Sequence, residues 1–220
     1  MKRRTTGPAS PAQIPVVSFA SAEAWSEWLA ANHASSRGVW LKIPKKGSTK
    51  GPVKSSAKTS VKGSVEGSAA SSPTYSEAVD VAVCWGWIDG QKQKHDDSAW
   101  LQKFTPRGAR SIWSSVNRDR VEALMRAGRM KPAGLAEVER AKRDGRWRAA
   151  YAPASRAAVP EDLASALAAN PRAAAFFATL NAANRYAILF RTETAKKPET
   201  RAARIARFVA MLARHEQLHP

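Results

Sequence analysis

The sequence contains a single cysteine, Cys84, among its 220 residues. One thiol can form neither an intramolecular disulfide nor a metal site built from several cysteines. No stretch approaches the roughly 18 consecutive apolar residues that a transmembrane helix needs, so we predict no transmembrane segment. Residues 1–15 are basic and broken by prolines, without the clean apolar core of a signal peptide. We therefore expect a disordered leader and a cytoplasmic protein.

Acidic residues are also scarce. The chain has 18 aspartates and glutamates against 36 lysines and arginines, which gives a formal net charge of +18. The positive excess is spread along the whole chain and is not held in one tail. A field of this sign attracts nucleic acids, anionic lipids and acidic proteins. Surplus arginine can equally serve solubility, so the charge alone does not assign a partner.

The sequence lacks the usual signatures of catalysis. It has no glycine-rich phosphate loop, dinucleotide-binding fingerprint or Gly-x-Ser-x-Gly elbow, and we predict no cofactor and no catalytic residue. Cys84 and His95 could form a thiolate–imidazole pair, but the apolar residues before Cys84 favour a buried, unreactive thiol. His215 and His219 have the His-Glu-x-x-His spacing of a zinc site. Only Pro220 follows them, without a third ligand, so we expect no catalytic zinc.

Hydrophobic periodicity predicts an α+β domain over residues 16–150, with a small antiparallel sheet flanked by helices. The first predicted elements are a helix over about 21–32 capped by Ser21, a strand at 38–43 and a helix that follows a Thr74–Glu77 capping box and ends at Cys84. A hairpin of strands 87–94 and 99–105 comes next. Two further helices follow, one capped by Asn117 and ended by Gly128, and one begun by Pro132 with Leu135 and Val138 facing inward. Segment 44–73, with eight serines and six lysines, predicts a flexible cationic insert.

Residues 160–220 are predicted to form a separate all-helical domain after an Ala- and Pro-rich linker at 151–159. Apolar residues recur there at helical spacing in four sets, which are Leu163, Ala166 and Leu167; Phe176, Phe177 and Leu180; Tyr186, Leu189 and Phe190; and Ile205, Phe208, Val209 and Leu212. Several short helices of this kind can share one small core.

Four of the eight tryptophans lie between Trp85 and Trp113, interleaved with lysines and arginines. Flat aromatic side chains beside cations suit stacked bases or other planar anions. They also suit the core of a small sheet, which we favour because tryptophan is buried on average. Asp89 is either a turn carboxylate or a partner of Arg107. We place a candidate ligand site between the two domains, lined by Trp87, Asp89, Lys92, Arg107, Trp113 and Asn117.

The last predicted helix begins with a basic segment. Lys196 and Lys197 precede it, and Arg201 and Arg204 step along one flank while apolar residues follow the other. Such a helix can lie on an anionic membrane or on a nucleic-acid backbone. We favour packing within its own domain, with the arginines in solvent.

Several strings of residues together resemble the YdeI/OmpD-associated family, also called bacteriocin-protection, whose helical C-terminal part is the OmdA domain. The strings are Trp40–Ile43, Tyr75–Asp80, Cys84–Gly90, Phe104–Arg107, Trp113–Ser114, Asn117–Arg118, Gly128–Met130 and Ala195–Arg201. The resemblance runs from about Phe19 to Leu212, except for the insert. It implies resistance to cationic antimicrobial peptides, association with an outer-membrane porin and, for some members, a periplasmic location, but it supplies no catalytic residues.

Residues and resemblance together predict a non-catalytic stress-tolerance protein that binds an anionic ligand or protein. Because a chain of charge +18 repels cationic peptides, its protection would have to be indirect. Two alternatives stay open. A nucleic-acid-binding protein would use the basic, tryptophan-rich middle and bind less tightly as salt rises. An enzyme acting on a small anion would bring Asp89 and Arg107 into one concave pocket.

Overall fold

The computed structural model describes residues 14–45 and 72–220. The predicted leader up to residue 13 and most of the predicted insert, 46–71, lie outside the described residues. In chain order the elements are β1 (Val16–Val17), α1 (Ala22–Asn32), β2 (Val39–Pro44), α2 (Tyr75–Cys84), β3 (Trp87–Lys94), β4 (Ala99–Pro106), α3 (Ser115–Arg126), α4 (Pro132–Arg143), α5 (Glu161–Ala168), α6 (Pro171–Thr179), α7 (Ala182–Glu193) and α8 (Pro198–Ala213). The predicted α+β class is confirmed.

The chain divides into two compact units. The first comprises residues 1–111 and 120–141, and the second comprises 112–119 and 142–220. The second unit therefore begins before the predicted linker at 151–159. None of the helices in the described ranges is both long and apolar enough to cross a membrane.

The first unit is built on a four-stranded sheet in the order β1-β2-β4-β3. The hairpin β3–β4 is antiparallel, as predicted, and β2 pairs antiparallel with β4. β1 pairs parallel with β2, a pairing that no pattern in the sequence predicts. Two valines are too short a segment to show the alternation that marks a strand.

One face of this sheet is covered by α1 and α2. Val39, Leu41, Ile43 and Phe104 lie on it and are at most 1% exposed. Trp25 of α1 is fully buried against this face, with its ring centroid 5.8 Å from that of Phe104. We call this the inner face. Side chains alternate along a strand, so the intervening residues of β2 and β4 form the opposite face.

Local capping explains where the helices of the first unit begin. The Ser21 hydroxyl accepts a hydrogen bond from the Ala24 N–H at 3.2 Å and starts α1. α2 starts with a complete capping box, in which the Glu77 N–H donates to the Thr74 hydroxyl and the Thr74 N–H donates to the Glu77 carboxylate. Both predicted caps are confirmed.

Two predicted details of α3 and α4 are wrong. Asn117 does not cap α3, because the Asn117 N–H donates to the Ser114 hydroxyl at 3.1 Å and the helix has already begun at Ser115. Leu135 does not face inward on α4. It is 38% exposed, whereas Gly134 and Val138 form the buried face one residue away in helical register.

The second unit contains the predicted helices α5 to α8 around a core of their own. The buried residues of this core are Leu163, Leu167, Ala173, Phe177, Ile188, Leu189, Ile205, Phe208, Met211 and Leu212. The C-terminal segment is fastened to α7 by Asn184, which is 1% exposed. Its side-chain oxygen accepts hydrogen bonds from the N–H groups of Leu218 and His219, at 3.0 and 2.9 Å.

We predict that Gly134→Ala destabilises the first unit, although alanine favours a helix over glycine by about 1 kcal/mol. A Cβ at this position would collide with the Cys84 carbonyl oxygen, a backbone atom that cannot move aside. Overpacking of this kind costs about 1–3 kcal/mol, which urea denaturation would measure as a lower free energy of unfolding. Gly90→Ala is the control, since its nearest contact would be an ordinary 3.9 Å. A stabilised Gly134→Ala variant would contradict the close packing of α4 on the end of α2.

Candidate functional site

The six predicted ligand-binding residues are divided between the two units. Trp87, Asp89, Lys92 and Arg107 belong to the first unit, and Trp113 and Asn117 belong to the second. Trp87 is 1% exposed, and its indole N–H donates to the His33 carbonyl at 3.2 Å. This placement favours the core interpretation of Trp87 over a stacking platform.

The other predicted residues lie in different surroundings. Arg107 is buried, and its backbone N–H donates to the Gly86 carbonyl at 3.0 Å. Trp113 is buried with its ring centroid 4.9 Å from that of Trp147. Asn117 is half-buried as the third residue of α3.

Asp89 and Lys92 come together with two aromatic residues that the predicted site left out, Tyr75 and Trp100. The Tyr75 hydroxyl donates to Asp89 Oδ2 at 2.7 Å. The rings of Tyr75 and Trp100 lie 5.5 Å apart between centroids, and Lys92 Nζ is 4.2 Å from the centroid of Trp100. Lys94 is the cross-strand neighbour of Trp100. We call the set of Tyr75, Asp89, Lys92, Lys94 and Trp100 the aromatic–lysine patch.

A β-bulge in β3 gives the patch its composition. Asp89 pairs with Phe104 and Lys92 pairs with Gln102, so three steps along β3 match two along β4. Regular alternation would place Asp89 and Lys92 on opposite faces, because they are an odd number of residues apart. The bulge at Gly90 and Gln91 returns Lys92 to the inner face.

The capping box positions the tyrosine. Tyr75 is the first residue of α2, directly after the cap Thr74, and it remains 40% exposed. It therefore stands at the end of the inner face beside Trp100, which is half-buried. The alternation of β4 places Trp100 with Gln102 and Phe104, but nothing local in the sequence connects Tyr75 to that strand.

Tyr75 is neutral at neutral pH, and the two lysines of the patch are exposed. Burial, followed by the hydrogen bond to Asp89 and its charge, raises the pKa of Tyr75 well above its usual value. The hydroxyl therefore stays protonated at neutral pH and donates to the carboxylate. Lys92 and Lys94 are exposed, and neither forms an ion pair with any carboxylate in the described part of the chain.

The opposite face of the sheet carries a second tryptophan and lysine. Lys103 Nζ lies 5.7 Å from the ring centroid of Trp40, its partner across the strands. Lys42 on the same face is already paired with Asp96 at 2.9 Å. The hydrogen bonds of Ser98 and Lys42 hold the pKa of Asp96 well below its usual range, so this carboxylate stays charged and fixes the end of the hairpin.

The residues considered above for catalysis or metal binding lie in surroundings that are typical of structural residues. Cys84 is 4% exposed, and burial raises the pKa of its thiol, which disfavours the reactive thiolate. α8 ends at Ala213, so His215 and His219 do not share a helical face as they would in a helical zinc motif. His215 instead stacks on Phe176. Residues 14–45 and 72–220 contain no group of three or more histidine, cysteine, aspartate or glutamate side chains that could hold a metal ion.

A groove of about 430 Å³ lies between α5 and α8 in the second unit. It is lined by Asp162, Ala166, Pro198, Arg201, Ala202, Ile205 and Ala206. The Arg201 guanidinium binds both carboxylate oxygens of Asp162, and its third nitrogen donates to the Thr192 carbonyl at 2.9 Å. Arg201 is therefore committed to the fold.

The other three residues of the predicted basic helix do not all share this role. Arg204 donates to the Arg191 carbonyl, whereas Lys196 and Lys197 are exposed at the start of α8. The apolar flank of α8 is buried in the core of the second unit. These contacts favour the packed helix over one that lies on a membrane.

We predict that Asp89→Asn lowers the pKa of Tyr75, because the amide removes the negative charge beside the hydroxyl. Ultraviolet difference titration would show a tyrosine ionising at lower pH, and Tyr75→Phe would remove that step. The raised pKa of Tyr75 also adds stability that is complete below about pH 10 and is lost as the pH rises further. An unchanged titration in Asp89→Asn would contradict the Tyr75–Asp89 contact.

We predict that Arg201→Lys lowers the free energy of unfolding by about 1 kcal/mol, because lysine cannot reproduce the bidentate contact. The hydrogen bond from Arg201 lowers the pKa of Asp162, so its contribution is present above about pH 4 and is lost as the pH falls. The variant should be less sensitive to acid. Arg214→Lys is the matched control, since the Arg214–Glu216 pair is more than half exposed and should contribute less. Equal effects of the two substitutions would contradict this role of Arg201.

Two family models match the chain. Residues 17–62 and 53–137 match a domain of unknown function, DUF8412, and residues 156–215 match OmdA, described as Bacteriocin-protection, YdeI or OmpD-Associated. No curated protein and no solved structure matches. The resemblance to the YdeI/OmpD-associated family is thus confirmed over the C-terminal helices, whereas the strings quoted from Trp40 to Met130 fall within the other family's match. The DUF8412 matches together span more than half of the sequence, so the chain belongs to the DUF8412 family and carries a C-terminal region similar to OmdA.

Proposed function

We propose that the protein is a non-catalytic binding protein that recognises an anionic partner through the aromatic–lysine patch. Through this partner it supports tolerance of antimicrobial peptides, and the word bacteriocin-protection in the description of the OmdA family supports this role. The observation that carries the proposal is the exposure of Lys92 and Lys94 beside Trp100, with neither lysine paired to a carboxylate of the described residues.

The sign of the charge supports an anionic partner. A chain with a formal charge of +18 repels cationic peptides at low salt, so it is poorly suited to capture them directly. The patch has the same sign locally. Its one carboxylate, Asp89, is occupied by the Tyr75 hydroxyl. Protection of a cell would then follow from what the protein does to its anionic partner.

The contrast with three arginines that bind carboxylates supports the choice of this surface. Arg201 binds Asp162, Arg120 binds Asp80 and Arg146 binds Asp144. Charges engaged in this way gain little from an added anion, because a present partner must first be displaced. The exposed lysines of the patch carry no such competition.

We predict that the protein binds heparin and duplex DNA with an affinity that falls as salt rises. Lys92→Gln with Lys94→Gln should weaken both complexes and make the plot of log affinity against log salt shallower by about 1 for each lysine removed. Lys196→Gln with Lys197→Gln is the matched control, since it removes two exposed lysines from the second unit and should leave the slope unchanged. Fluorescence anisotropy between about 50 and 200 mM salt would measure these slopes.

Two outcomes would overturn the proposal. One is the absence of binding to either polyanion at about 50 mM salt, where a few phosphate contacts suffice for detection. The other is an equal loss of affinity in the control pair, which would assign the binding to net charge and not to the patch. In the native host, the Lys92 and Lys94 variant should also fail to restore peptide tolerance to a deletion strain, whereas the control pair should restore it.

A further inference from the structure

We propose that the anionic partner is single-stranded nucleic acid, whose unpaired bases stack on Trp100 and Tyr75 while its phosphates bind Lys92 and Lys94. This inference rests on the proposed function, because it assigns a chemical class to the anion that the aromatic–lysine patch binds. It adds one element to charge recognition, the accessible ring faces of the patch.

Exposure distinguishes the rings of the patch from the fully buried tryptophans of the first unit. Trp25 and Trp87 are at most 1% exposed and hold the core together. Tyr75 keeps 40% of its surface and Trp100 is only half-buried, although burial would stabilise both rings. A pair of partly exposed rings beside lysines is the arrangement by which proteins bind single strands, with bases on the rings and phosphates on the cations.

The geometry lets one lysine serve the ring and the phosphate in turn. Lys92 Nζ lies 4.2 Å from the centroid of Trp100, at the distance of a cation–π contact. Its flexible stem allows the ammonium group to move from the ring to a phosphate when a base takes its place. Lys94 is the direct cross-strand neighbour of Trp100, so a second cation flanks the same ring.

Three acidic groups of α2 and β3 are occupied, which limits their repulsion of phosphates. Asp89 accepts the Tyr75 hydroxyl, Glu77 is held by the capping box of α2, and Asp80 is paired with Arg120. The hydrogen bond to Asp89 also restricts the Tyr75 side chain, so less rotational freedom is lost when a base stacks on the ring.

Neither protection of a sheet edge nor a different polyanion accounts for both the lysines and the rings of the patch. Lysines on an edge strand such as β3 discourage pairing with a second sheet, but this does not explain the exposed rings beside them. An acidic peptide would satisfy the lysines but gain little from the rings. A duplex would satisfy the lysines while keeping its base faces stacked inside. Single strands are the polyanions that use both features.

We predict that a labelled single-stranded oligothymidylate binds more tightly than the duplex at equal salt. Trp100→Leu should weaken this complex by about five- to hundredfold, the effect of losing one stacked base, and leave heparin binding unchanged. Trp40→Leu is the matched control. It removes a half-buried tryptophan next to a lysine from the opposite face and should leave the affinity for the single strand unchanged. Anisotropy titrations would measure all three affinities, and an oligouridylate arm would show whether DNA or RNA is preferred.

Trp100→Phe guards against a folding artefact, since it keeps an aromatic ring and should retain most of the affinity for the single strand. Lys92→Gln should make the salt dependence of single-strand binding shallower by about 0.7. If heparin binds but the single strand binds no better than the duplex, or if Trp40→Leu causes the loss expected of Trp100→Leu, this inference is wrong while the proposed function stands. If neither heparin nor the single strand binds, the proposed function is wrong as well.

Discussion

The first unit depends on the buried indole of Trp25. Its N–H donates to the Ala78 carbonyl of α2 at 3.2 Å, and its ring lies against Trp87 of β3 and Phe104 of β4. Burying a tryptophan removes up to about 250 Å² from water, or at most about 6 kcal/mol of transfer free energy. One side chain of α1 thus joins both helices to the sheet. It also contacts Trp87, so the proposed recognition surface of this unit uses rings that lie farther from the centre.

The β-bulge in β3 determines which residues such a surface can contain. Without the extra residue, Lys92 and Lys94 would point to the opposite face, away from Trp100 and Tyr75. β3 is an edge strand, so the bulge disturbs pairing with β4 alone and leaves β2 in register. A local irregularity of the backbone therefore brings lysines and aromatic rings to one face without loosening the core behind them.

Features that depend on neighbouring residues could be predicted from the sequence, and features that depend on register could not. The caps at Ser21 and Thr74 and the hairpin were predicted because their chemistry lies within a few residues. Asn117 was misassigned because Ser114, three residues earlier, is an equally good cap. Leu135 was misassigned because the close approach of Gly134 to Cys84, fifty residues away, sets the orientation of α4. β1 and the contact of Tyr75 with Trp100 are likewise set by distant parts of the chain, so no periodicity in the sequence predicts them.

The basic residues discussed above fall into two groups. Arg201, Arg120 and Arg146 use planar guanidinium groups to bind carboxylates within their own units, so part of the basic excess stabilises the fold. Lys92 and Lys94 bind no carboxylate of residues 14–45 and 72–220, and they remain strongly hydrated cations on an edge strand. Hydrated lysines attract any polyanion and discriminate poorly among them, since their contribution comes from released counterions. Any selectivity of the patch must therefore come from Tyr75 and Trp100, because only these side chains distinguish an anion with exposed flat faces from one without.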